Sequence, residues 1–540
     1  NKMKKRTLFS IGILALASYA IANWTAPAKK SPGITISKAT TRVTSPLTKE
    51  GYVDYAQVIN QRLSAGVTAE NNANVLLWKA MGPAPEQTEL GPRILEAMKT
   101  EMLPEKGDYF LGLVTFCKQE LNINITGPRW DKISEQQGDG MFRPWSDQEH
   151  PELSSWLKYN EKPLAVVKAA TMRPRYFSPI IIKSDTEVDD VDASLVSVLL
   201  PSVPLTRSFA RALTCRSMLH LQHGRHEQAW DDILTCHRLG RHVAQGPTLV
   251  ETLVGIAIGS IASEATVTYI EHTQPDAQAA AQHARELAEM LPLPKMADRI
   301  DLYERFMFLD LVQRLAASEG NKFELLQKLS GSSGSDDPLY WKAIKSAANG
   351  LTDWDLVMKE GNTAYDQIVK GMRLENPVAR KAALDAFELS VENRNKQLRN
   401  PLKMLARIGS AKSAADGLGS VMGDYIICLM MPALSSCQNA VSRVLQTNDN
   451  LTVALALSSY HSEHGKYPAT LASLVPKHLK QLPNDRFNGK PLIYRPNEQG
   501  YIFYSVGQNN KDEQGRFYDD KPPGDDLRVQ IPQKKQPQQN

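Results

Sequence analysis

Cysteine is scarce in this chain. Five stand in 540 residues, Cys117, Cys215, Cys236, Cys428 and Cys437, with no C-x-x-C pair. That excludes a zinc ribbon and a thioredoxin-type motif, and it is far too sparse for a disulfide scaffold. Cys215 and Cys236 fall on adjacent predicted helices, where an oxidising compartment would let them pair; the simpler expectation is five small buried apolar residues. An excess of one charge is also missing. Lys and Arg number 63 against 59 Asp and Glu, a net +4, which gives no case for a nucleic-acid surface. Catalytic signatures are absent: there is no GxSxG, HExxH or P-loop. The Gly417, Gly419 and Gly423 cluster follows no predicted strand, which excludes a dinucleotide site. Past the N-terminus, long apolar runs are lacking too. The nearest, residues 426–434, is broken by Pro432 and preceded by Asp424, so no second membrane span is expected.

The N-terminus is what stands out. Lys2, Lys4, Lys5 and Arg6 precede fifteen uncharged residues, 8–22, which end on Ala20, Ile21 and Ala22. A basic start, a short apolar run and an A-x-A site make up a secretory signal. The run is short of the roughly 20 residues of a spanning helix, yet Tyr19 and Trp24 suit an interface and would let it persist as an anchor. Export to the periplasm or cell envelope is expected, with the signal cleaved after Ala22 or kept in the inner membrane.

Hydrophobic content of 42% and charged content of 23% are those of a globular protein. Residues 23–50 are rich in Pro, Ser, Thr and Lys without periodicity and read as a linker. An N-terminal helical region follows over 51–204. Helices are expected at 52–63, at 69–81 capped by Thr68, and at 90–102, with 127–150 a polar loop. Two shorter helices, 153–159 and 164–172, come next. Residues 205–440 read as an irregular helical bundle. Its first two helices form a hairpin of tetratricopeptide type, turning at Gly224 with Ala229 and Trp230 packed behind; no period of about 34 residues continues it. Thr248 is placed to cap the third helix. Ser330 to Asp337 reads as a flexible loop, and 531–540 as a disordered tail.

The last hundred residues change character. An amphipathic helix over 441–464 closes at Gly465, and a short helix spans 469–474. Alternating residues 492–495 and 501–506 then form a hairpin across 496–500. The fold class expected is therefore mainly α with a small C-terminal α+β domain over 441–530.

Residues 455–468 (LALSSYHSEHGKYP), 482–491 (LPNDRFNGKP), 504–509 (YSVGQN) and the Asp525, Asp526, Leu527 ending resemble, in order and spacing, the globular head of pseudopilin G of type II secretion. The likeness covers about 90 of 540 residues. It implies a pseudopilin-like head fold and a calcium ion held by acidic side chains and backbone carbonyls after the hairpin. The chain departs from that family in carrying the head at its far end, with no prepilin-peptidase site before 426–434. Residues 51–55, 71–78, 143–153 and 229–232 resemble uncharacterised exported proteins of planctomycete bacteria, which implies an envelope protein and no activity.

Asn510, Asp512 and Gln514 alternate before Gly515, the spacing of the first half of a calcium loop. Lys521 occupies the twelfth position, so an EF-hand is excluded; the resemblance implies that Asp525 and Asp526 close the site, while a solvated acidic turn of Asp519, Asp520, Asp525 and Asp526 is the plainer alternative. An all-oxygen set in a loop suits calcium over zinc. His220, His223, His226, His237 and His242, five of eleven histidines within 23 residues, are a second candidate, for zinc, with a solvated helix turn as the plainer expectation. The acidic run 187–192, with Asp189 and Asp190, reads as a solvated face. Together these features lead to a non-enzymatic envelope protein, a helical scaffold or docking body with a calcium-stabilised head. Its partners would be other envelope proteins, or the membrane through the N-terminal segment, and not nucleic acid. A secretion-associated component and a metal-dependent hydrolase with its site in a helical cleft are the alternatives.

Overall fold

The computed structural model describes residues 33–182, 194–318, 322–330, 339–431 and 434–533. The N-terminal signal, the acidic run 187–192, residues 331–337 of the loop and the tail beyond 533 lie outside the described residues. The chain is mainly helical and ends in a small antiparallel sheet. Its strands, β1 (Ile493–Pro496), β2 (Tyr501–Ser505) and β3 (Leu527–Ile531), lie in the order β1-β2-β3. Phe503 pairs with Tyr494 on one side and Val529 on the other. The expected hairpin is present.

Two hydrophobic cores organise the helices. One gathers Leu77, Trp145, Trp156, Phe209, Leu213, Trp230 and Ile258 with Leu455, Tyr501, Phe503 and Val529 of the C-terminal region. The other gathers Ile34, Val53, Ile59, Phe308, Val357, Ile368, Met422 and Val444. The 31-residue helix Leu434–His464 joins them, with Val441 and Val444 in the second core and residues 453–457 in the first. At 1.5 Å per residue it is about 46 Å long. The head therefore shares its core with the body. The helix begins seven residues earlier than its amphipathic part suggested, because its first turns face the second core.

The hairpin at 203–243 forms as expected. Helices Val203–Gln222 and His226–Val243 turn at Gly224, whose φ is +68°. The next helix, Leu249–Thr273, starts on a full capping box of Thr248 and Glu251. It crosses its predecessor with the backbones in contact: a Cβ on Gly240 would stand 2.7 Å from the Gly255 oxygen, and one on Gly255 2.4 Å from the Ala244 nitrogen. Only glycine allows that approach. Contrary to the expectation of no second span, this helix is long and apolar enough to cross a membrane. Its Val254, Ile258, Ala262 and Ala265 are buried in the first core.

Several expectations are corrected. Residues 127–150 are a loop only over 141–150: Pro128–Gly140 is a helix, started by Pro128 in its first turn. Its contact with the core is made by Ile133, by the half-buried Trp130 and by Gly140, which lies against the Trp145 ring, so the apolar stripe that marks a helix is short. The segment read as a linker is docked from residue 33. Thr40 and Thr41 are buried, Asn362 Nδ2 donates to the Ala39 and Thr40 oxygens, and Arg42 pairs with Asp366. Main-chain and hydroxyl hydrogen bonds, which leave no periodicity, hold it. The early helices start late, at Tyr55 on an Asp54 cap and at Ala73 on an Asn72 cap, and the third stops at Ala97, with Lys99 in the left-handed region. All five cysteines are free thiols, the simpler of the two expectations, with four buried and Cys428 half-buried.

Candidate metal centre

The loop between β2 and β3 is pinned at its start by Asp485, a 3% exposed carboxylate. Its Oδ1 accepts from the Phe487 amide and its Oδ2 from the Val506 amide, both at 2.8 Å. A relay of amides ties the same region to the long helix: Gln446 Oε1 accepts from the Arg486 amide, Gln446 Nε2 donates to Asn450 Oδ1, and Asn450 Nδ2 donates to the Leu527 oxygen. The loop thus hangs on rigid elements at both ends.

Within it, four residues reverse the chain by adopting positive φ: Gly507 at +66°, Asn510 at +58°, Gln514 at +63° and Gly515 at +78°. Gly515 suits the left-handed backbone there, and a Cβ would also press on Ile502 Cδ1 at 2.6 Å. The reversals fold the loop onto its own acidic end. Asp526 Oδ2 accepts from the Gly515 amide at 2.7 Å and the Glu513 amide at 3.1 Å. Asp525 Oδ2 accepts from the Asn509 amide. Glu513 accepts from the Asp525 amide on Oε2 and from Asn509 Nδ2 on Oε1. The outcome is three carboxylates, Glu513, Asp525 and Asp526, with one oxygen from each lying within 4.8 Å of the others.

That separation is informative. Calcium–oxygen bonds are about 2.4 Å, so two oxygens on one ion stand at most about 4.8 Å apart. The second oxygens, Asp525 Oδ1 and Asp526 Oδ1, are buried with no hydrogen-bond partner, and Asp526 as a whole is 0% exposed. A buried, unpartnered carboxylate oxygen costs free energy unless a cation or donor meets it. Burial, reinforced by Glu513, pushes Asp526 up to about 6 against the pull of the Gly515 amide. Asp525 is raised too, chiefly by burial. Glu513 is held below its usual range, chiefly by the hydrogen bond from the Asp525 amide. The donor set is all oxygen and fits a hard divalent cation.

Of the residues expected at this site, the structure brings Asp525 and Asp526 together. Asp512 turns its Oδ1 to the Tyr504 hydroxyl at 2.9 Å and the Gln514 amide at 2.8 Å. Asn510 and Gln514 sit at the chain reversals and are exposed. Glu513 was not anticipated. Strict alternation would point it away from residues 512 and 514, but the left-handed residues on both sides of it break that alternation.

The histidines do not converge. His220 accepts from Arg225 Nε at 2.8 Å, and His223 Nε2 meets Asp147 Oδ2 at 2.8 Å. His237 bonds Thr266 Oγ1 at 3.0 Å and His242 the Thr171 oxygen at 3.1 Å, both buried. Burial lowers His220 and His242 to about 4 and His237 to about 3. A cleft of about 710 Å³ lies among residues 48–72, 93–99, 177–182 and 310–314. Two of its acidic residues already have partners: Asp310 accepts from Arg314 Nε, Gln313 Nε2 and the Leu195 amide, and Asp54 caps the first helix. One wall is the extended segment 177–182, gripped by side-chain amides. Asn60 takes both the N–H and C=O of Ile180, and Asn72 those of Phe177.

No family model, curated protein or solved structure matches the chain.

Proposed function

We propose that this is a non-enzymatic, exported cell-envelope protein whose helical body serves as a docking scaffold and whose pseudopilin-like head is stabilised by a calcium ion on Glu513, Asp525 and Asp526. The observation that carries the calcium reading is the pair of buried carboxylate oxygens without partners inside a three-carboxylate cluster. When bound, the ion supplies positive charge where three carboxylates converge and joins the two ends of the β2–β3 loop. The order of a long helix, a short 3₁₀ turn at Leu471–Leu474 and an antiparallel hairpin supports the head as a fold. The shared core supports a fixed head and argues against one displayed on a tether. The basic start and short apolar run of residues 2–22 support export.

The test is thermal melting of the full chain in EDTA and in calcium. A ligand bound by the native state alone stabilises it by about 2.7 kcal/mol at a hundredfold excess over Kd, so calcium is expected to raise the melting temperature. An unchanged melt removes the calcium reading.

A further inference from the structure

Residues 393–415 carry six cations, Arg394, Lys396, Arg399, Lys403, Arg407 and Lys412, and no Asp or Glu. Three are matched. Arg394 and Arg407 both pair with the buried Asp424, and Lys396 meets Glu392 at 2.7 Å. Arg399, Lys403 and Lys412 have no carboxylate within 4.0 Å among the described residues, and all three are exposed. They flank or sit on the helix Pro401–Ser410. That helix buries Met404, 2% exposed, and presents Leu402, 59% exposed, to solvent. An exposed leucine beside unmatched cations on a surface helix is the pattern of an interfacial helix.

Its place in the fold gives a second observation. Gly33, the first described residue, lies against Trp354, and the Thr35 amide donates to Asp355 Oδ1 at 2.7 Å. The neighbouring Asp353 amide donates to the Ala415 oxygen at 3.1 Å, three residues past Lys412. The chain arriving from the apolar run 8–22 therefore docks beside the end of the cationic segment. The ten residues 23–32 reach at most about 36 Å, so a bilayer holding that run lies within reach of this surface.

We infer that the helix Pro401–Ser410, with Arg399 and Lys412, docks on an anionic phospholipid bilayer, Leu402 entering the interface and Arg399, Lys403 and Lys412 meeting the headgroup phosphates. Only the orientation rests on the membrane reading of residues 8–22; the docking surface itself does not. The experiment uses the full chain and the variant Arg399→Glu/Lys403→Glu/Lys412→Glu. Each is sedimented with vesicles of phosphatidylglycerol and phosphatidylcholine, or of phosphatidylcholine alone, at low and high salt, and amide hydrogen exchange is read over 399–412. The wild type should bind anionic vesicles at least about tenfold better than neutral ones. Removing three cations worth about fivefold each, and adding three anions, should weaken binding by at least about a hundredfold, and salt should do the same in part. Exchange over 399–412 should slow on anionic vesicles only. Equal binding to neutral vesicles, or binding without protection at 399–412, would overturn the inference while leaving insertion of the N-terminal run intact. Failure to bind anionic vesicles, undiminished binding of the triple variant, or tighter binding to duplex DNA than to vesicles would also overturn it.

Discussion

Asp526→Asn separates the charge of the carboxylate from its hydrogen bonds. The asparagine oxygen can still accept from the Gly515 and Glu513 amides, while the negative charge is gone. In the metal-free protein the Asp526 carboxyl is raised from 3.8 to about 6. A carboxyl raised on folding favours the folded state below its unfolded value, and that advantage is lost as pH climbs towards 6. Above 6 the ionised group is a full penalty, about 3 kcal/mol at about 1.4 kcal/mol per pH unit. In EDTA near neutral pH the variant should therefore be more stable than the wild type, by up to that amount, and the gap should close as pH falls towards 4. Calcium should close most of that gap, by about 2.3 kcal/mol in favour of the wild type. Loss of one charged ligand is expected to cost at least about a hundredfold in affinity. Calcium at a hundredfold excess over the wild-type Kd then stabilises the wild type by about 2.7 kcal/mol and the variant by about 0.4 kcal/mol. Melting curves in EDTA and calcium, at neutral pH and near pH 5, read all four states. An Asp526→Asn variant less stable than wild type in EDTA, or one with an undiminished calcium shift, would refute the reasoning.

Other sites give independent expectations. His237 is buried and held down to about 3, so its contribution is full above about 6.5 and is lost as pH falls below that. Its share of the loss between neutral pH and pH 5 is about 2 kcal/mol, so His237→Gln, which can keep the bond to Thr266, should lessen the fall of the denaturant midpoint by about that much relative to wild type. Gly361→Ala would put a Cβ 2.1 Å from Cε1 of the buried Phe308 ring, and a cost of about 1–3 kcal/mol is expected in chemical denaturation. Gly350→Ala, with nothing within 4 Å, should instead stabilise by up to about 1 kcal/mol. Asn72→Ala removes a helix cap and both bonds to Phe177; a loss of about 3 kcal/mol is expected, with faster exchange over 176–182.

Local chemistry was legible. Thr248 as a helix cap, Gly224 at a helix turn and the run of alternating residues from 501 each act within a few residues, and each marks the element boundary where the structure has it. What was hidden depends on distant partners. The strap at 33–53 is held by Asn362, Asp355 and Asp366, more than 300 residues away. The Pro128–Gly140 helix packs partly through a glycine against Trp145, so only a short apolar stripe announces it. At the candidate site, Asp525 and Asp526 stood out as a closing acidic pair. Glu513 did not, because its inward position follows from left-handed backbone at Asn510 and Gln514, which residue alternation does not encode. The exposed face of Pro401–Ser410 was also passed over, since a basic helix looks ordinary until its ion pairs are known.

The account turns on whether one cation sits among three carboxylates at the end of this chain. A crystal structure of the full chain grown in millimolar calcium, with anomalous data at long wavelength, tests that directly. The expected result is a single anomalous peak about 2.4 Å from oxygens of Glu513, Asp525 and Asp526. No peak there, or a peak held by other residues, would contradict it.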